Sequence, residues 1–240
     1  GVQNVIENSY KVLDENIRMT SVAIKIAKTQ TKLKQFVFAS TSEVYAGTLT
    51  EDLLTIPTAE NSILVVPDLS QPRTSYMLSK IYGEAMCQQS GLPWLTIRPH
   101  NIYGPRMGFK HVIPQLMRKI VTSENGMLEV FSCDHSRTFC FVDDAVDMIV
   151  SLMADDRNLS GTFNIGNEGP EISIRSLAKE IMRVIGKDLI IKPMPATDGS
   201  PKRRAPAMRC FKDLSNAGGR FDLSSGIEKT YQWYKKTYGW

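Results

Sequence analysis

Histidine and cysteine are scarce in this sequence, with three and four copies in 240 residues. His100 and His135 have no Cys, Asp or Glu partners at ligand spacing, which argues against a metal centre. Cys87, Cys133, Cys140 and Cys210 form no C-x-x-C pair and sit mostly in apolar runs, so buried free thiols in a reducing compartment are expected. There is no signal-peptide pattern and no apolar run of membrane-spanning length, so no membrane partner is expected and the expected location is cytoplasmic. A large charge excess is also missing. The formal net charge is +4, and the basic residues are scattered apart from Lys202-Arg203-Arg204, which argues against a nucleic-acid surface and suits an anionic small molecule. No nucleophile elbow accompanies the histidines, so Ser-His-Asp hydrolysis has no support. Repeats, low-complexity tracts and any G-x-x-G-x-x-G pattern are absent as well. What remains is an ordinary globular composition, 42% hydrophobic and 22% charged, enough for one large domain or two small ones.

The most informative stretch is Tyr76-Met77-Leu78-Ser79-Lys80, inside a helix expected over Ser75 to Ser90, just after Pro72-Arg73. Positions four apart share a helix face, so the Tyr76 phenol and the Lys80 ammonium point the same way. A close cation favours the phenolate, which would suit the pair to proton transfer near neutral pH. A half-buried Tyr beside a snorkelling Lys is the alternative. Two short apolar runs flank this helix. Gln35 to Ala39 delivers Ser40-Thr41-Ser42-Glu43-Val44-Tyr45, and Trp94 to Ile97 delivers Arg98-Pro99-His100-Asn101-Ile102-Tyr103-Gly104-Pro105-Arg106. In open α/β sheets, ligands bind outside the carboxyl ends of strands.

The rest of the chain alternates the same way. An apolar stripe (Ile6, Tyr10, Leu13, Ile17, Thr20, Ile24, Ala27) predicts one helix over Val2 to Lys28, and Ala46 to Arg73 reads as a loop over the cleft. Helices are expected from His111 to Ser123, from an Asp143 N-cap to Met153, from a Ser173 cap to Ile185, and over Ile227 to Lys236. Short strands are expected at Met127 to Phe131, Thr138 to Phe141, Gly161 to Ile165 and Leu189 to Lys192. Strands alternating with helices give an α/β fold with a mainly parallel sheet.

Ordered motifs from about Asn16 onward resemble the extended short-chain dehydrogenase/reductases, specifically the NAD-dependent nucleotide-sugar epimerases, dehydratases and decarboxylases. They are the Glu15-Asn16 to Thr20 segment, Ser-Thr-Ser-Glu-Val-Tyr, Tyr-x-x-x-Lys, Arg-Pro-His-Asn-x-Tyr-Gly-Pro, Arg137 to Asp144, and Phe163-Asn164-Ile165-Gly166. The resemblance implies a Rossmann-like sheet with a smaller C-terminal α/β lobe that binds substrate, and NAD as cofactor. In that pattern Tyr76 takes the proton of the sugar C4 hydroxyl as hydride leaves C4, Lys80 lowers the Tyr76 pKa and holds the nicotinamide ribose, and Thr41 bonds the C4 oxygen. Ser42 joins the catalytic group, and Ser40 and Pro99 join Tyr76 and Lys80 on the cofactor. Asn101, Arg137, Arg204 and Val112 fall on the nucleotide-sugar diphosphate and base. Glu43 stands where dehydratases and decarboxylases carry a carboxylate able to act on the 4-ketone; a structural carboxylate capping the loop is the alternative. Asn164 and Gly166-Asn167 read as turn-closing.

Against that family, this sequence departs in its first segment: the strand and Gly-rich turn that hold the cofactor pyrophosphate are expected to lie in an amino-terminal part that the chain lacks. The Gly-rich turn before Arg137 and the acidic residue at position 207 are also missing. The expected division is 1–105 as the remaining cofactor domain and 106–240 as mainly the substrate lobe, with segments returning to the first. A homodimer is expected through the Tyr76 helix and the first helix, where Leu78, Ile81, Tyr82 and Ala85 lie away from Lys80. A non-catalytic sugar-nucleotide-binding or assembly subunit is the alternative function.

Overall fold

A computed structural model of the chain describes residues 2–155, 157, 159–197 and 199–240. In chain order the elements are α1 (Val2–Glu7), α2 (Ser9–Lys28), β1 (Phe36–Ala39), a 3-10 turn (Ser42–Tyr45), α3 (Ala46–Thr50), α4 (Pro72–Gln88), β2 (Trp94–Pro99), β3 (Ile102–Tyr103), α5 (Val112–Thr122), β4 (Met127–Phe131), β5 (Ser136–Arg137) and β6 (Cys140–Phe141). They continue with α6 (Val142–Met153), β7 (Gly161–Ile165), β8 (Ile172–Ser173), α7 (Ile174–Ile185), β9 (Ile190–Met194), β10 (Arg203–Arg204), α8 (Arg209–Lys212) and α9 (Leu223–Tyr238). The chain divides into two compact units: 1–99, 148–165 and 206–216 in the first, and 100–147, 166–205 and 217–240 in the second.

In the second unit β4 pairs in parallel with β9, and Leu128 and Val130 alternate inward while their neighbours face out. Their inward side joins Ile113, Leu116, Met117 and Ile120 of α5, Leu177 and Ile181 of α7, and Ile227 and Tyr234 of α9 in one buried cluster. The Ser173 hydroxyl accepts from the Ser176 amide at 3.0 Å and starts α7, and Gly186 at φ +75° closes it, a left-handed position that suits glycine. The shorter β10, β5 and β8 form a second small sheet, and β3 pairs with β6.

Four expectations are corrected. The helix predicted over Val2 to Lys28 breaks at Asn8, and its stripe is buried only at Ile24 and Ala27; Ile6 is 45% and Tyr10 77% exposed. The carboxyl end of α2 is buried because Ile24 meets Phe38 and Cys87 there. Asp143 lies inside the first turn of α6 rather than before it, because β6 runs directly into the helix. The strand expected over Thr138 to Phe141 shortens to β6, with β5 added before it. The supposed loop from Ala46 begins with α3, and its next part is pinned: the Thr48 hydroxyl donates to the Ile63 carbonyl at 2.7 Å and accepts from the Val65 amide at 3.1 Å. Gly47 permits that approach, since a Cβ there would stand 1.9 Å from the Val65 carbonyl oxygen. Of the cysteines, all free, Cys210 is exposed and the other three are buried.

The first unit is built on an all-parallel sheet in the order β1-β2-β7, with Phe38 facing Thr96 and Ile97 facing Phe163 in register. Helix α4 starts with Pro72 in its first turn, where a missing amide hydrogen costs nothing. Gly83 lets it settle on β1, because a Cβ there would lie 2.3 Å from the Phe38 ring. Asn16 of α2 ties into the same helix by donating to the Ser79 hydroxyl at 2.9 Å, and that hydroxyl donates to the Tyr76 carbonyl at 2.7 Å.

Beneath α4 lies a buried polar network. Arg98, at the end of β2, donates from Nε to Glu84 Oε1 at 2.9 Å and from Nη2 to Glu84 Oε2 at 2.5 Å, with side chains only 5% and 4% exposed. The Ser40 hydroxyl donates to the same carboxylate. On the other side Arg98 Nη1 donates to the Tyr45 hydroxyl at 2.7 Å and to the Glu60 carbonyl at 2.9 Å, and Tyr45 donates to Asn164 at 3.1 Å. Asn164 passes the chain on to the carbonyls of Thr58 and Ala207 at 2.9 and 3.2 Å. Removing one partner of such a pair strands a buried charge, at a cost of about 3–5 kcal/mol. Glu84→Gln is therefore expected to lower unfolding free energy by roughly 3 kcal/mol in urea titration, and a loss below about 1 kcal/mol would show that the pair is dispensable.

Candidate active site

The carboxyl end of β1 and one face of α4 bring five side chains together in the first unit. Thr41 leaves β1 in extended conformation and caps the 3-10 turn, accepting from the Glu43 amide at 3.2 Å. Its hydroxyl also acts on the Tyr76 phenol, favouring the phenolate. Lys80, one turn on from Tyr76, holds its Nζ 5.8 Å from the Tyr76 ring centre and 5.1 Å from the Phe38 ring, and donates to the Ala39 carbonyl at 2.8 Å. Arg73, one turn before Tyr76, reaches Glu43 at 3.5 Å. Tyr76, Lys80, Thr41, Glu43 and Arg73 thus share one corner of this unit.

Electrostatics in this corner differ from the expectation in one respect. Tyr76 is pushed above the ordinary phenol value, chiefly by burial; the Thr41 hydrogen bond works against that rise and the Glu43 charge adds to it. Lys80 is held below the ordinary ammonium value by burial, partly offset by the Glu84 carboxylate. Burial, rather than the nearby cation, therefore sets the direction for the phenol. Ser40 and Ser42 are both buried. The Ser40 hydroxyl donates to Glu84, which ties this strand end to the network below. Pro99 is the half-buried last residue of β2.

The remaining predicted residues lie in the second unit. Asn101 takes a left-handed backbone at φ +45°, a region Asn tolerates better than most residues, and donates to the Arg204 carbonyl at 3.4 Å. Arg137 and Arg204 are paired across β5 and β10, so these three residues cluster. The Arg137 guanidinium is buried among main-chain oxygens, donating to Ser136 at 2.6 Å, to Lys202 at 3.2 Å and to Pro201, and to the Ser200 hydroxyl at 3.1 Å. Val112 opens α5 and is half-buried.

Sequence reasoning missed Arg73, Glu84 and Arg98. The signal for the first two was present: positions 73, 76, 80 and 84 are spaced three, four and four apart, which is one helix face. Arg98 carried a weaker sign, a charge closing an apolar strand. Since the Thr41 hydrogen bond favours the phenolate, Thr41→Val is expected to raise the Tyr76 pKa and Thr41→Ser to restore it, read by tyrosinate absorbance against Tyr76→Phe. An unmoved titration would show that the hydroxyl leaves the phenol unaffected.

The chain is 27% identical over 248 residues to UDP-N-acetyl-alpha-D-glucosaminuronate decarboxylase of Bacillus cytotoxicus, covering 98% of this chain and 74% of that one. It is 29% identical to GDP-L-fucose synthase of Escherichia coli, over 96% of this chain and 76% of that one. Identity is 30% to UDP-glucuronic acid decarboxylase 1 of Xenopus tropicalis, over 97% of this chain but only 54% of the relative. The crystal structure of UDP-glucuronic acid 4-epimerase from Bacillus cereus, in complex with UDP-glucuronic acid and NAD, superposes with a TM-score of 0.78 at 23% identity, covering 93% of this chain and 68% of that one. RMD from Pseudomonas aeruginosa, complexed with NADPH, gives 0.82 at 20% identity, over 99% of this chain and 78% of that one. At such identity these two establish the fold, a Rossmann-like α/β arrangement. Residues 1–166 match the family model described as the NAD dependent epimerase/dehydratase family, and the chain belongs to that family.

Proposed function

We propose that the protein is an NAD-dependent nucleotide-sugar epimerase/dehydratase that works on a nucleoside-diphosphate hexose through a 4-keto sugar. The observation that carries this reading is the placing of Tyr76 and Lys80 on one face of α4, with the Lys80 Nζ 5.8 Å from the Tyr76 ring centre and bonded to the carbonyl of Ala39, the last residue of a parallel strand. Those residues fit the nicotinamide-ribose end of NAD. One of the three ammonium donors of Lys80 is used on the Ala39 carbonyl, which fixes the side chain and leaves the others for a diol. NAD, when bound, supplies the acceptor for hydride from C4.

The chain's own residues do the rest. Thr41 orients the C4 hydroxyl, Tyr76 accepts its proton, and the Lys80 ammonium 5.8 Å from the Tyr76 ring centre is the nearby cation that favours the phenolate when it forms. Glu43 then acts on the acidified C5 hydrogen for elimination, or lines the site where a C6 carboxylate leaves as CO₂. In the second unit Asn101, Arg137 and Arg204 hold the diphosphate and Val112 lies along the base. For Arg137, this requires exchanging main-chain oxygens for phosphate oxygens, which a planar guanidinium accepts in the same bidentate manner. The first unit serves the cofactor and the second the nucleotide sugar.

No described helix is long and apolar enough to cross a membrane, and we place the protein in the cytoplasm. A homodimer is supported by the exposed Met19, Val22 and Ile26 of α2, which lie on one helix face, and by exposed Tyr82 of α4.

With NAD and UDP-glucuronic acid, the substrate in the name of the Xenopus relative, product is expected as a 4-epimer or as CO₂ with a pentose nucleotide, alongside NAD released on denaturing the protein. GDP- and dTDP-hexoses are the next substrates to assay. Tyr76→Phe is expected to cost about 10²–10⁴-fold in turnover. Glu43→Gln is expected to abolish dehydration or decarboxylation and spare epimerisation. Failure to bind NAD, with no turnover of any of these sugars, would overturn the reading.

A further inference from the structure

The Arg73–Glu43 ion pair borders the Tyr76–Lys80 corner from the strand end and from α4. Glu43 is fixed at its backbone by the Thr41 hydroxyl, which also acts on Tyr76, and its carboxylate is held by Arg73 at 3.5 Å. Arg73 sits on α4 one turn before Tyr76, so the backbone that positions the phenol also positions the guanidinium. The pair is neither buried nor fully exposed, with side chains 37% and 26% accessible for Arg73 and Glu43, so its charges are only partly screened by water.

We infer that Arg73 is a positioning residue that acts through Glu43: its guanidinium fixes the carboxylate beside the reacting centre and offsets part of the negative charge that Glu43 imposes on Tyr76. Thr41 and Glu43 act on the phenol from the strand end, and from α4 Lys80 stands 5.8 Å from its ring while Arg73 pairs with Glu43. Of the ionised ones, Glu43 alone disfavours the phenolate. Pairing it with Arg73 lets a carboxylate remain close enough to act on a 4-keto sugar without disabling the tyrosine that makes the ketone. A lone cation would favour the phenolate directly; Arg73 has its effect only while Glu43 is ionised. The value of the pairing for turnover rests on the function proposed above, whereas its effect on Tyr76 does not.

The test is a double-mutant cycle on the intact protein at low ionic strength, using Arg73→Gln, Glu43→Gln, the double variant and Arg73→Lys. The Tyr76 titration is read by carbon NMR of ring-labelled tyrosine, assigned with Tyr76→Phe. Arg73→Gln is expected to raise the Tyr76 pKa by about half a unit or more, the scale of one uncompensated charge near a partly buried group. Glu43→Gln is expected to lower it, the double variant to match Glu43→Gln, and Arg73→Lys to retain most of the wild-type value. An unchanged titration in Arg73→Gln overturns the inference. So does the same shift with and without Glu43, since Arg73 would then act on the phenol directly. Thermal melts identify a variant that fails to fold; Arg73→Lys, which keeps the charge, and Arg73→Met, which keeps the stem, then complete the cycle in its place. Titrations that move as expected in a protein without sugar-nucleotide turnover sink the proposed function alone. Turnover with an unmoved titration sinks only this role for Arg73.

Discussion

The first unit depends on the pairing of Arg98 with Glu84. Each is costly to bury alone, and each is satisfied by the other and by neutral groups around it: Ser40 on one flank, Tyr45 and the Glu60 carbonyl on the other. The pair joins the end of β2 to the middle of α4, and through Ser40 it also fixes the residue just before Thr41. Tyr45, the last residue of the 3-10 turn, has its phenol pushed up to about 12, mainly by burial, so it remains a neutral donor and acceptor that carries the network to Asn164. Apolar residues in these positions would pack, but they would leave the strand end and the helix free to slide past one another. The charged network specifies one register.

What the network specifies is the corner above it. Thr41 can meet Tyr76 only if β1 ends where it does and α4 sits at a fixed rotation, and both conditions are enforced from below. Gly83 sets the closeness of α4 to Phe38, and Asn16 anchors the outer side through Ser79. The polar residues that face upward are consequently few and crowded: a phenol, an ammonium, a hydroxyl, a carboxylate and a guanidinium. Their mutual effects, rather than any single group, decide where a proton resides.

Much of this was legible in the sequence because helix and strand periods are short-range. The Tyr76–Lys80 pairing, β1, β2, β4 and β7, and the Ser173 cap all follow from spacing and from local hydrogen-bond chemistry. What could not be read depends on separation along the chain. Arg98 and Glu84 are 14 residues apart, and Tyr45 and Asn164 are 119 apart, so no local pattern announces either contact. The stripe from Ile6 to Ala27 shows the opposite failure: the period was real, yet within α2 only Ile24 and Ala27 are buried. Arg137 shows a third kind, since its type fits phosphate while its neighbours show that it also closes a turn.

The line of residues 73, 76, 80 and 84 runs from the half-exposed start of α4 to its buried middle. Its outermost member pairs with Glu43 near the surface, and its innermost member pairs with Arg98 in the interior. Because a helix advances about 100° per residue, one inserted or deleted residue between Tyr76 and Glu84 would turn the two ends of this line to different sides. Drift in length is therefore far less tolerable in this helix than in the connections at either end, and the spacing itself acts as an inherited measure that individual side-chain changes leave intact.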